Sequence, residues 1–175
     1  MFMQEMTTTE CMRTLVRSRL GRLACSHENQ PYIVPIYFAY EESYLYGFTT
    51  QGQKVEWMRS NPLVCVEVDE IVTDSQWMSI IVLGRYEELP ETEEEERWDK
   101  HQFVPQHDND REPGWRHAHD LLQQYAEWWE PGCISHTHSK PDQPLRPVFY
   151  RIHIDQISGR RVSPGPTVTP SHGVL

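Results

Sequence analysis

Between Gly21 and Gly84 the chain alternates short β-branched and aromatic runs with Gly, Pro and acidic turns. No link there is long enough to put a crossover helix after every strand. The runs are Arg22 to Ser26, Tyr32 to Tyr40, Tyr44 to Phe48, Leu63 to Val68 and Trp77 to Leu83. Their content of Val, Ile, Tyr and Phe predicts strands, and the short links predict antiparallel pairing. A doubly wound sheet is argued against. The expected class is mainly β, a small barrel with peripheral helices, because closure removes exposed edges.

The flanking segments follow from local signals. Thr7-Thr8-Thr9-Glu10 predicts a helix capped by one of the threonines and running to about Ser18. Pro35 lacks a backbone donor, so its strand is expected at an edge, at a bulge or close to a ligand. Gly52-Gln53-Lys54 reads as a polar loop feeding a short helix that Asn61-Pro62 ends. Asp69 to Ser75 reads as a loop. Glu91 and Glu93 to Glu96 suit the first turns of a helix, where the macrodipole favours acid. Val104 to His119 reads as a loop and Leu121 to Trp129 as a second helical stretch. Pro147 to Ile154 returns as a strand, and Asp155 to Arg160 closes it with a turn or a turn and another short strand. The expected organisation is one domain over 1–162, with a helical excursion at about 90–130 and a mobile tail over 163–175.

Composition narrows the chemistry. A net charge of −10 opposes binding to nucleic acid or an anionic membrane. No apolar run approaches the roughly 20 residues of a spanning helix. The N-terminus lacks a basic region followed by an apolar one, so a cytoplasmic location is expected. Cys11, Cys25, Cys65 and Cys133 form no CxxC and read as reduced thiols, with Cys25 and Cys65 as small buried hydrophobes. His117, His119, His136, His138 and Cys133 are the candidate metal ligands, but no HExxH is present and no metal is expected. There is no Gly-x-Ser-x-Gly, and no catalytic acid, base or nucleophile stands out. Six Trp and eight Tyr suit a flat ligand or an aromatic interface. Around Lys54, a helix start offers backbone N–H groups, hydroxyls and one ammonium, the parts needed to hold a phosphate; the plain alternative is a surface turn with a solvent-facing lysine. Ser79 is the small polar side chain of its strand and is expected to reach either backbone or a ligand oxygen.

Several segments together resemble the pyridoxamine 5′-phosphate oxidase-related family. They are Gly21-Arg22-Leu23-Ala24-Cys25, Pro31 to Phe38, Tyr44 to Thr50, Gly52-Gln53-Lys54, Asn61 to Val68, Trp77 to Arg85 and, late in the chain, Val148 to Gly159. The resemblance implies an FMN-binding split barrel of the nitroimidazole-reductase-like branch, a homodimer with flavin at the subunit interface. By position it implies that Lys54 and Ser79 contact the FMN phosphate and that Thr49 and Thr50 line the phosphate and ribitol. It sets the strand of Val34, Pro35, Ile36 and Tyr37 beside the isoalloxazine, with Trp77 and Ile80 on the adjoining strand. The partner subunit would add residues from Trp128-Trp129 or near Arg151. The activity it implies is electron transfer from a reduced nicotinamide through FMN to a small-molecule acceptor. The alternatives are a non-catalytic flavin carrier or sensor, and a relative binding haem or deazaflavin. The chain departs from its relatives at Met78, where they often carry Arg, and at Phe48 or Thr49, where they often carry His. It also lacks the recognisable late basic pattern of true pyridoxamine phosphate oxidases.

Overall fold

The computed structural model describes residues 2–89, 114–124 and 147–164. Eight strands are β1 (Phe2–Met6), β2 (Leu20–His27), β3 (Gln30–Tyr37), β4 (Ala39–Glu41), β5 (Tyr44–Thr50), β6 (Leu63–Thr73), β7 (Gln76–Leu89) and β8 (Pro147–Ser163). The helices are α1 (Thr8–Arg17), α2 (Gln53–Ser60) and α3 (Trp115–Gln123). All strand pairs are antiparallel, in the order β3-β2-β6-β7-β8-β5-β4, with β1 on the far half of β8.

Chain continuity closes this sheet. β3 pairs with β2 at one end of the order and β4 pairs with β5 at the other, and only Phe38 separates β3 from β4. Phe38 is buried, and its backbone N–H donates to the Arg19 carbonyl at 3.0 Å. One extended segment therefore changes partners at Phe38 and joins the two ends into a barrel. The β2–β3 link is a two-residue turn with Glu28 and Asn29 both at positive φ, the conformation that matches the twist of a hairpin.

Strand alternation sends Leu23, Val66, Ile80, Val82, Tyr150 and Ile152 into the barrel, all essentially inaccessible to solvent. Two helices cover its ends. Thr14 and Arg17 of α1 meet Met78, whereas Arg59 of α2 meets Glu88, ten residues further along β7. Thr7 caps α1 with a reciprocal capping box to Glu10.

The outside of the barrel has two unlike faces. Over β4, β5 and the first half of β8 lies α3, whose Ala118, Leu121 and Leu122 pack with Ala39, Tyr46, Leu89 and Phe149 in a second apolar cluster. Over β3, β2, β6 and the middle of β7 no described residue covers the sheet. There Ile33 (64% exposed), Leu63 (63%) and Leu83 (44%) face outward.

The elements depart from the sequence reading in several places, among them β1, which that reading does not predict, and β7, which runs on to Leu89. Tyr32 to Tyr40 is two strands, split at Phe38 where the ladder changes partner. Thr49 and Thr50 belong to β5, held by Val148 and Pro147 across the ladder. The expected loop from Asp69 is strand as far as Thr73, because β7 runs alongside to Leu89 and supplies partners. Asp155 to Arg160, where a turn with another short strand is one expectation, is strand without the turn and continues β8, with β7 on one side and β1 taking over from β5 on the other. Residues 115–119, expected as loop, open α3. Of the second helical stretch, Leu121 to Gln123 lie in α3, and Trp128 and Trp129 fall outside the described residues, as do the glutamate-rich segment and 165–175. β8 includes Ser163.

Candidate functional site

The turn from β5 into α2 gathers most of the expected phosphate groups. Thr49 and Thr50 end β5, and Gly52 is the N-cap of α2. Gly52 brings no side chain to cap this helix, and the first-turn N–H groups of a helix have no acceptor within the helix. Lys54 stands in that turn, half-buried, and its ammonium acts on Cys25: burial pushes the Cys25 thiol up and Lys54 offsets part of the rise. Cationic charge, the amides of a helix start and two hydroxyls close by in sequence are groups suited to a phosphate.

Ser79 does not join this group. Its hydroxyl donates to Glu67 Oε1 at 2.9 Å. Glu67 in turn accepts from Arg22 Nη1 at 3.0 Å, and Arg22 also pairs with Asp69. Both carboxylates push the Arg22 guanidinium further up, Asp69 first. Glu67 and Asp69 beside Ser79 oppose an incoming phosphate. The register also separates the two places. Ala24 pairs with Cys65 and Cys65 with Leu83, so Cys25 is level with Gly84. Ser79 is five residues down β7 from that row, about 16 Å.

The pleat divides the remaining candidates. Val34 and Ile36 point into the barrel, and Pro35 and Tyr37 point out. On β7, the Ile80 side chain is fully buried in the core, whereas Trp77 and Ser79 lie on the outer face. Pro35, Arg22, Glu67 and Ile81 make one row across the bare face, and Ile33, Ala24, Cys65 and Leu83 make the next. Cys65 is therefore half-buried and outward, not a core residue like Cys25.

A second polar group lies under α3. Arg151 is almost wholly buried, donates from Nε to Glu87 at 2.6 Å and stacks over the Tyr44 ring at 4.6 Å. His117 pairs with Glu41 and meets the Tyr46 ring edge-on at 5.4 Å. His119 stands against Phe149 and Trp115. These histidines anchor a helix. Among the described residues no three His, Cys, Asp or Glu side chains come together as metal ligands, and His136, His138 and Cys133 lie outside them.

Sequence reasoning missed the Arg22–Glu67–Asp69 network and a clamp in which Glu88 takes the Arg59 guanidinium and the Tyr86 hydroxyl. The first had a signal: Glu67 and Asp69 are two apart, so extending β6 past Val68 puts both on one face. The second depends on a helix meeting a strand far away in sequence and left no local mark.

A family model described as pyridoxamine 5′-phosphate oxidase matches residues 7–116. An uncharacterized protein of Rhizobium meliloti (strain 1021) is 35% identical over 165 residues, 94% of this chain and 99% of that one. The crystal structure of a FAD-binding protein from Mesorhizobium loti is 39% identical, with a TM-score of 0.67, covering 93% of this chain and 100% of that one. A candidate 5-nitroimidazole antibiotic resistance protein from Bacteroides thetaiotaomicron shares the fold at 19% identity, with a TM-score of 0.59, covering 92% of this chain and 89% of that one.

Proposed function

Because the chain belongs to the pyridoxamine 5′-phosphate oxidase family, we propose that it binds a flavin nucleotide, FMN, with the phosphate at the start of α2. The observation that carries this reading is the β5–α2 turn, where Lys54 stands in the first turn of a helix without a side-chain cap, directly after Thr49 and Thr50. The FAD-binding relative supports a flavin, and FMN is the part that FAD shares. Lys54 neutralises phosphate charge, and the first-turn N–H groups of α2 donate to its oxygens. Pro35 and Tyr37, on the outer side of β3, flank the ring system.

The cofactor supplies the two-electron chemistry, from a reduced nicotinamide donor to a small acceptor, in the manner of the nitroimidazole-reductase-like branch. The protein supplies binding, orientation and exclusion of water. The bare outer face of β3, β2, β6 and β7 is proposed to pair with a second copy and complete the flavin site as a homodimer. No helix among the described residues is long and apolar enough to cross a membrane; the proposed location is cytoplasmic.

The test is the absorption spectrum of purified protein, chromatography of the released flavin and FMN titration of stripped protein. Lys54→Ala is expected to weaken FMN roughly 10- to 100-fold, the scale of a lost charge-assisted hydrogen bond. Unchanged affinity sinks the phosphate assignment. Bound flavin with no turnover of a reduced nicotinamide makes the protein a carrier or sensor. A haem or deazaflavin spectrum replaces the cofactor.

A further inference from the structure

Helix α2 is short, and its attachments are unevenly placed. Eight residues do not make a stable helix in water, and only Val55 and Met58 of α2 are fully buried. A bidentate ion pair holds its C-terminal end. Arg59 forks onto both carboxylate oxygens of Glu88, Nε at 2.7 Å and Nη2 at 2.6 Å. The Tyr86 hydroxyl donates to the same carboxylate at 3.1 Å, and the Tyr86 backbone N–H donates to the Pro62 carbonyl at 2.8 Å, just beyond the helix. Glu88 is thus held from both sides, by a ring rooted in the barrel and by the helix. At the other end no side chain caps the first turn.

On the reading that this first turn holds the flavin phosphate, we infer that Arg59, acting through Glu88 and Tyr86, is the positioning residue that aims it. Lys54 lies five residues from Arg59, about 7.5 Å along the axis. A pivot of about 15° at the clamped end moves the first turn about 2 Å, enough to break a hydrogen-bonded phosphate seat. A bidentate guanidinium–carboxylate pair fixes direction as well as distance, which a single ammonium does not. Arg59 does not itself touch the ligand. Its effect is confined to the end of the flavin that carries phosphate.

The experiment measures dissociation constants of FMN and of riboflavin, which lacks the phosphate, for wild type, Arg59→Ala, Arg59→Lys and Glu88→Gln. Arg59→Ala is expected to weaken FMN about tenfold and to leave riboflavin within about twofold. Glu88→Gln shows the same pattern, smaller, and Arg59→Lys recovers part of the FMN affinity. A parallel loss for both ligands means that the clamp merely stabilises the fold and overturns the inference, as does unchanged FMN affinity. Where Arg59→Ala does not fold, the near-isosteric Glu88→Gln carries the same comparison. Wild type binding FMN no better than riboflavin overturns the phosphate reading itself, a result distinct from failure of the clamp.

Discussion

Gly84 occupies a place where β7 and β8 shift register, and a Cβ there would stand against the His153 carbonyl oxygen, well inside contact distance. The obstacle is backbone, so a rotamer change cannot relieve it. Gly84→Ala is expected to destabilise the fold by about 2–3 kcal/mol, read from the urea midpoint. Glu10 makes a different prediction. Hydrogen bonds from the Thr7 backbone and hydroxyl, and then Arg161, hold its carboxyl down to about 2 from a usual 4.5. A depressed carboxylate stabilises the fold above its unfolded value and loses that contribution as pH falls through the folded one. The stability difference between wild type and Glu10→Gln is therefore expected to be full above pH 4.5 and to vanish toward pH 2, measured by melting at each pH. Ser79 shows what a single residue hides at this scale. The sequence offered a hydroxyl on a strand; that Glu67 accepts its hydrogen bond depends on β6 lying alongside in one register.

Among the elements, α3 and β7 differ in what they hold up. Leu122 is buried between α3 and the outside of β5 and β8, in a cluster separate from the barrel interior, whereas Ile80 is wholly inside the barrel. Each truncation to alanine removes a buried side chain, worth about 2–4 kcal/mol. The loss is expected to fall in different places. Leu122→Ala speeds amide hydrogen exchange over 115–123 and spares β7; Ile80→Ala lowers protection throughout the sheet. Equal effects everywhere would mean that α3 and the barrel unfold as one unit. The local signals for α1 and α2 were legible, because caps, breakers and Pro62 act within a few residues. Those for α3 and for the second half of β8 were not. Trp115 to His119 is too polar to announce a helix, and over Asp155 to Arg160 the choice between a turn and a continuous strand is settled by β7 and β1 on either side.

On the scale of the molecule, the bare face of β3, β2, β6 and β7 carries the proposed dimer. Leu83→Glu puts a charge on that face, at a position already 44% exposed in one protomer, so folding of the protomer tolerates it. Light scattering is expected to report a monomer, and flavin affinity to fall with it. A Leu83→Glu dimer that keeps its flavin would place the subunit contact elsewhere. Sequence alone determined the strand-rich plan, the cap of α1, the place of Lys54 at the start of a helix and the family. Each rests on local residue chemistry or on motif order along the chain. Only the tertiary structure decided which of Val34, Pro35, Ile36 and Tyr37 face outward, that Ile80 is core, and that Lys54 and Ser79 stand far apart. Side chains alternate with a period of two, so a one-residue change of register or a bulge exchanges core and surface. That register is set by partners distant in sequence.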